Sequence, residues 1–212
     1  MEHTQKIIGL TGTYCAGKNH IAGILEKRGL PVLDVDKLGH QVLETEKQAV
    51  FDRFGDDLKK PDGTVDRVLL GKRVFGNPIE IAALEGIVHP AAGRLAEDWV
   101  AAQKTSCVIN AALLHRMDIF GRLDFIILVT APFITRLLRA RRRDRLSLRN
   151  LLQRFISQKD FTPQYLSGKA DIYRVENPGF FQGFGNSGFA FRHSSKALEN
   201  RIDGILSTEG IL

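Results

Sequence analysis

An α/β fold, with a parallel sheet flanked by helices, is what this 212-residue sequence predicts. Three observations predict it. "KIIGL" (6–10) is a short β-branched run with no polar face, as a strand buried on both sides requires. A glycine-rich turn, a helix-forming segment and a second apolar run, "LPVLDVD" (30–36), follow directly. Further apolar runs at 106–114 and 124–132 are divided from these by helical stretches or turns, which is the alternation of an open parallel sheet.

Each element has its own justification. The first helix covers "GKNHIAGILEKRG", with Ile21, Ile24 and Leu25 on one face and Gly29 as its stop. The second strand ends in Asp34 and Asp36. Residues 37–103 are mostly helical, punctuated by turns at "GDDLKKPDG" (55–63) and "GNP" (76–78). So long a helical stretch between two strands exceeds a simple crossover, and part of it is expected to form an inserted helical subdomain. "SCVINAALL" (106–114) and "DFIILVTAP" (124–132) are the third and fourth strands. An arginine-rich helix starts at 133, and a second helix over 147–158 has Ser147 as its cap. "ADIYRVEN" (170–177) is a last strand, and "SKALENRIDGIL" (195–206) a closing amphipathic helix. Between them, 180–193 is a phenylalanine- and glycine-rich addition. Its five phenylalanines predict a hairpin-like segment packed on the core or on a second subunit, turning near Gly183, Gly185 and Gly188.

Composition narrows the function classes. With 43% hydrophobic and 25% charged residues, the chain is of globular type and long enough to bury a core. Cys15 and Cys107 are far apart and outside any C-x-x-C spacing, so neither a disulfide framework nor a zinc site is expected. The polar start "MEHTQK" and the brief "IIGL" run fit no signal or membrane span, and a cytoplasmic location is the expectation. Net charge is +6. Much of it lies between Arg136 and Arg154, where eight arginines face one acid, Asp144. A solvated helix face would carry both signs. One-sided arginine suits bidentate phosphate recognition instead, and no aromatics are interleaved for stacking nucleic-acid bases.

"GLTGTYCAGKNH" (9–20) carries the chemistry. Gly12, Thr13, Tyr14, Cys15, Ala16, Gly17 and Lys18 form a G-x-x-x-x-G-K loop between a buried strand and a helix, the context in which backbone N–H groups cradle phosphates and the lysine reaches the β- and γ-phosphates. Asn19 stands where this loop normally places a serine or threonine on Mg²⁺; its amide oxygen can serve as a metal ligand, directly or through water. Asp36, at the expected strand end, can accept a proton from an attacking hydroxyl or hold a metal-bound water. Asp34 is as readily a helix cap. Arg139 and Arg143 share a helix face and can offset transferring-phosphate charge from a closing lid. His89, before Pro90, is on chemistry alone a structural histidine, with the proline marking a helix boundary.

Together these segments resemble the bacterial dephospho-CoA kinase family over nearly the whole chain. The resemblance rests on the loop, its helix and the D-x-D strand end, on "DGTVDRVLLGKRVFGNP" and "IVHP", and on "RRRDRLSLRNLLQRFISQ" and "ADIYRVENPG". It implies a P-loop NTPase-type sheet, a helical substrate-binding insertion over about 37–103 and an arginine-rich lid over about 133–158. It implies ATP-dependent phosphorylation of the ribose 3′-hydroxyl of dephospho-CoA, with ATP and Mg²⁺, and no nucleic-acid or membrane partner. Asp36 matches the family's catalytic aspartate, Lys18 its loop lysine and Arg143 the lid's Arg-Asp pair. Asp36, His89 and Arg67 then fall to the substrate side. Two departures stand out: Asn19 itself, and "AALLH" (111–115), where His115 occupies the place of the family's carboxylate. A kinase of another small alcohol or nucleotide, and a nucleotide-binding regulator with weakened catalysis, are the alternative readings. A homo-oligomer is left open.

Overall fold

A computed structural model describes residues 5–144, 151, 155, 170–178 and 189–212. The described parts of Met1–Leu33, Gln103–Arg116 and Phe120–Leu212 form one compact unit, and Asp34–Ala102 with Met117–Ile119 form a second.

The sheet has five strands, all in the first unit but for the last residue of the second strand: β1 (Ile7–Gly12), β2 (Val32–Asp34), β3 (Cys107–Asn110), β4 (Phe125–Thr130) and β5 (Asp171–Glu176). Their order is β2-β3-β1-β4-β5. β1 lies at the centre, parallel to β3 on one side and β4 on the other, and β4 runs parallel to β5. Every residue of β3 and β4 is buried, which explains their unbroken apolar reading. One face of the sheet (Ile8, Leu10, Val108, Phe125, Ile127 and Val129) packs against Ile21, Ile24 and Leu25 of helix α1 (Lys18–Lys27). The C-terminal helix adds Leu198, Ile202, Ile205 and Leu206 to the same core. Each such side chain stabilises the fold by about 1.5–3 kcal/mol through burial.

The second unit is helical: α2 (Val35–Thr45), α3 (Lys47–Phe54), α4 (Arg67–Val74) and α5 (Pro78–Ala101). Val50, Phe51, Phe54, Leu58, Leu70 and Val74 make one apolar cluster, which Ile81, Leu84 and Ile87 of α5 adjoin. Val42, Ala91 and Ala92 make another, joined by Val35, Val88 and Leu95. The punctuation at 76–78 is a helix start: Asn77 Oδ1 accepts from the N–H groups of Ile79 and Glu80, and Pro78 takes the first helical position.

Several boundaries differ from the sequence expectation. The strand predicted over 30–36 is only Val32–Asp34, and α2 starts at Val35. Val35 and Val42, one heptad apart, share the α2 face that meets Ala91 and Ala92, so the helical stripe wins over the local β-branched run. The third strand stops at Asn110 rather than 114, and Leu114 turns back in a 3₁₀ segment. Pro90 is no helix boundary but lies inside α5. Helix α6 (Phe133–Asp144) matches the start of the arginine-rich stretch. Of the expected helix over 147–158, only Leu151 and Phe155 are among the described residues, and both are helical. The closing helix α7 (Phe189–Thr208) begins earlier than expected, so 189–193 of the phenylalanine-rich stretch are helical, while 180–188 fall outside the described residues.

Candidate active site

β1 is the central strand, with its neighbours leading to opposite edges, so the crevice beyond its carboxyl end is the natural ligand position of such a sheet. The glycine loop leaves β1 there. At Gly12 the backbone passes so close to β4 that a Cβ would come within 2.7 Å of the Val129 carbonyl oxygen, and Thr13 N–H donates to that same oxygen at 3.1 Å. The loop then closes on itself, Ala16 N–H donating to Thr13 O at 2.9 Å. Cys15 takes a left-handed conformation, φ 58°, and Gly17 another, φ 94°. Gly17 is the N-cap of α1, and among the described residues no side chain caps that helix, whose N-terminal end is the kind that attracts anions. Lys18 is the first helical residue and half-buried, and Asn19 follows it, exposed.

Three elements brace this loop. Arg139 of α6 donates through Nη1 to Ala16 O at 2.8 Å and to Cys15 O at 3.4 Å. Asn177, just past β5 and buried, donates through Nδ2 to Ala16 O at 2.9 Å and accepts from Arg139 Nη2 at 3.2 Å. Burial pushes the Arg139 guanidinium below its ordinary range. Tyr14, at the loop's tip, meets the ring of Phe155 edge-on at 5.3 Å, lies under the Arg143 guanidinium at 5.1 Å and donates its hydroxyl to Asp144. Asp144 also pairs with Arg143 Nε at 2.7 Å, and that bond raises the Arg143 pKa further. The Cys15 thiol is raised in turn, chiefly by burial, against the lowering effect of Arg143.

On the other flank, Asn110 ends β3 and donates through Nδ2 to Asn19 Oδ1 at 3.3 Å. Neither its own buried Oδ1 nor the buried Thr13 hydroxyl has a hydrogen-bond partner among the described residues. Among the described residues no three histidines, cysteines or acids cluster as a metal cage. His115 lies in the short turn after β3, half-buried, its pKa lowered by burial and then by Arg116.

The sequence-predicted residues therefore divide. Gly12 to Asn19 and Arg143 come together in the sheet unit. Asp36, Arg67 and His89 belong to the helical unit, on α2, α4 and α5. Asp36 is not at a strand end; it is exposed in the first turn of α2, where Asp34 is the N-cap residue. Arg67 opens α4, exposed, directly after Asp66, whose carboxylate accepts from Val68 and Leu69 N–H. His89 is half-buried midway along α5. Sequence reasoning missed Asn177 and Asn110: each touches the loop only through the sheet, and no local spacing marks it.

A phosphate loop with its lysine at a helix start, set at the carboxyl end of a central parallel strand, defines a P-loop nucleotide-binding protein. Residues 6–171 match the dephospho-CoA kinase family. The chain is 30% identical over 217 residues to a dephospho-CoA kinase of Treponema pallidum, covering 97% of this chain and 96% of that one. It is 34% identical to that of Shouchella clausii, over 81% and 89% of the two chains. Among solved structures, TT1252 from Thermus thermophilus superposes with a TM-score of 0.74 at 28% identity, over 98% of both chains. The chain belongs to the dephospho-CoA kinase family. It is a phosphotransferase that uses ATP and acts on dephospho-CoA, the final step of coenzyme A synthesis. Among the described residues no helix is long and apolar enough to cross a membrane.

Proposed function

We propose that the chain transfers the γ-phosphoryl group of ATP to the ribose 3′-hydroxyl of dephospho-CoA through the residues its motifs mark. The observation that carries the reading is the braced phosphate loop in a chain of this family. In this reading the loop from Gly12 to Asn19 binds the phosphates of ATP, with the N–H groups of Gly17 to Asn19 at the start of α1 turned towards them, and Lys18 neutralises charge at the β–γ bridge as that P–O bond breaks. Asp36 accepts the proton of the 3′-hydroxyl while its oxygen forms the new bond to phosphorus. Residues 37–103 bind the acceptor, with Arg67 and His89 as contacts, and Arg143 belongs to a lid over 133–158 that offsets charge on the transferring group and excludes water.

Mg²⁺ suits the oxygen-rich corner at Asn19. The Asn19 amide oxygen and Asn110 Oδ1, which has no hydrogen-bond partner among the described residues, are hard neutral ligands or acceptors for metal-bound water. When bound, the ion would supply positive charge that offsets the negative charge developing on the phosphate oxygens. The same reading makes the chain cytoplasmic, without a nucleic-acid partner.

The test is coupled turnover with ATP and dephospho-CoA across a Mg²⁺ series. Transfer to the 3′-hydroxyl, read by phosphorus NMR of the product, is the expected result. ATP binding without transfer at any Mg²⁺ level would favour a regulator in its place.

A further inference from the structure

The two side chains that brace the loop go beyond the roles proposed above, though the argument rests on that reading of the loop as an ATP site. Ala16 O is the meeting point, taking one bond from Asn177 Nδ2 at 2.9 Å and one from Arg139 Nη1 at 2.8 Å. A carbonyl oxygen has two lone pairs, so this one is saturated. No cis peptide is present among the described residues, and across a trans peptide the next N–H points opposite to the carbonyl. Fixing Ala16 O towards Asn177 and Arg139 therefore fixes Gly17 N–H away from them, at the N-terminal end of α1. We propose that Asn177 and Arg139 are positioning residues for phosphoryl transfer, acting by holding the loop carbonyls back so that its N–H groups stay aimed at the phosphates.

Three features support this. Asn177 is itself held: its N–H donates to Thr130 O at 2.7 Å, extending the β4–β5 pairing by one residue, and Thr135 Oγ1 donates to Pro178 O at 2.7 Å. Its amide is also fixed in orientation, because a flip would set oxygen against the Ala16 carbonyl and NH₂ against the guanidinium. Finally, its Nδ2 stands only 2.3 Å from where a Cβ on Gly17 would lie, so the loop and its brace occupy one fitted volume.

Chemistry supplies a discriminating variant. Asn177→Asp is nearly isosteric and keeps, indeed strengthens, the contact to Arg139, so a merely structural bracing role would survive it. It removes the donor to Ala16 O and replaces it with carboxylate oxygen, which repels that carbonyl. The probes are ATP, inorganic tripolyphosphate and dephospho-CoA, each titrated calorimetrically against the full chain. Asn177→Asp is expected to weaken ATP and tripolyphosphate alike, by about tenfold or more, and to leave dephospho-CoA within about twofold. Unchanged tripolyphosphate affinity overturns the proposal, whatever happens to ATP. Should Asn177→Asp fail to fold, Arg139→Lys is read by the same criterion: it keeps one cation but not the fork that serves both Ala16 O and Asn177. A wild-type chain that binds neither ATP nor tripolyphosphate overturns the nucleotide-site reading itself, which distinguishes that failure from this one.

Discussion

Alanine at Gly17 would cost the loop twice over. The position has φ 94°, where an L side chain is strained by roughly 1–2 kcal/mol. The new Cβ would also stand 2.3 Å from Asn177 Nδ2, forcing that amide out of place. Its bond to Ala16 O is worth about 0.5–1.5 kcal/mol net, and its bond from the charged Arg139 about 1.5–3 kcal/mol. The sum is a loss of about 3–6 kcal/mol. Gly23, six residues on in the same helix, makes an internal control. A Cβ there meets nothing within 4 Å, and helix propensity predicts that Gly23→Ala stabilises by about 0.5–1 kcal/mol. Urea unfolding of both variants beside wild type, fitted with a common m-value, gives the two shifts. Opposite signs are expected. A loss under about 1 kcal/mol for Gly17→Ala would refute the argument that the loop and Asn177 share one fitted volume.

Three further outcomes are expected. Asp36→Asn should lower kcat by about 10²–10⁴-fold with ATP affinity nearly intact, whereas Lys18→Met should damage both; Asp36→Asn turnover within about threefold of wild type removes Asp36 from the mechanism. Asn19→Ser should keep activity and lower the Mg²⁺ concentration for half-maximal rate, and an unchanged Mg²⁺ requirement would argue against Asn19 as a metal contact. Glu209 accepts from Lys6 Nζ at 2.7 Å and from the Tyr173 hydroxyl, and these bonds depress its pKa, Lys6 first. A depressed carboxyl contributes fully above the unfolded value of about 4.3 and loses that contribution as pH falls through the folded one. Stability should therefore decline below about pH 4, and Glu209→Gln should make the decline shallower in acid-unfolding curves.

What was legible in the sequence was whatever local pattern decides. β1, the glycine loop and α1 were readable because an apolar run, two glycines and a helical stripe follow one another within about twenty residues. β2 was overextended because "VLDV" has strand composition, and only the partner face offered by Ala91 and Ala92, more than fifty residues away, makes Val35 helical. The same applies to the site. The loop and Asp36 carry motif spacing. The brace does not, since Arg139 and Asn177 reach Ala16 from 123 and 161 residues along the chain, and it exists only once β4 and β5 are paired. Arg139, read from the sequence as a lid cation, gives donors to the loop carbonyls of Cys15 and Ala16 and to the Asn177 side chain, contacts that no local pattern shows.

Pro90 in the middle of α5 bears on how the helical unit opens. Lacking an N–H, it leaves the Gly86 carbonyl without its usual partner four residues on, so the 24-residue helix carries one missing rung. The apolar contacts divide at nearly the same place: Ile81, Leu84 and Ile87 serve one cluster, and Val88, Ala91, Ala92 and Leu95 the other. A rod with its weakest rung at the seam between two anchorages need not open as one cooperative piece. Amide hydrogen exchange should accordingly resolve α5 into two protected stretches with separate opening free energies, and His89 sits at the joint between them, where small local openings would reach its ring first.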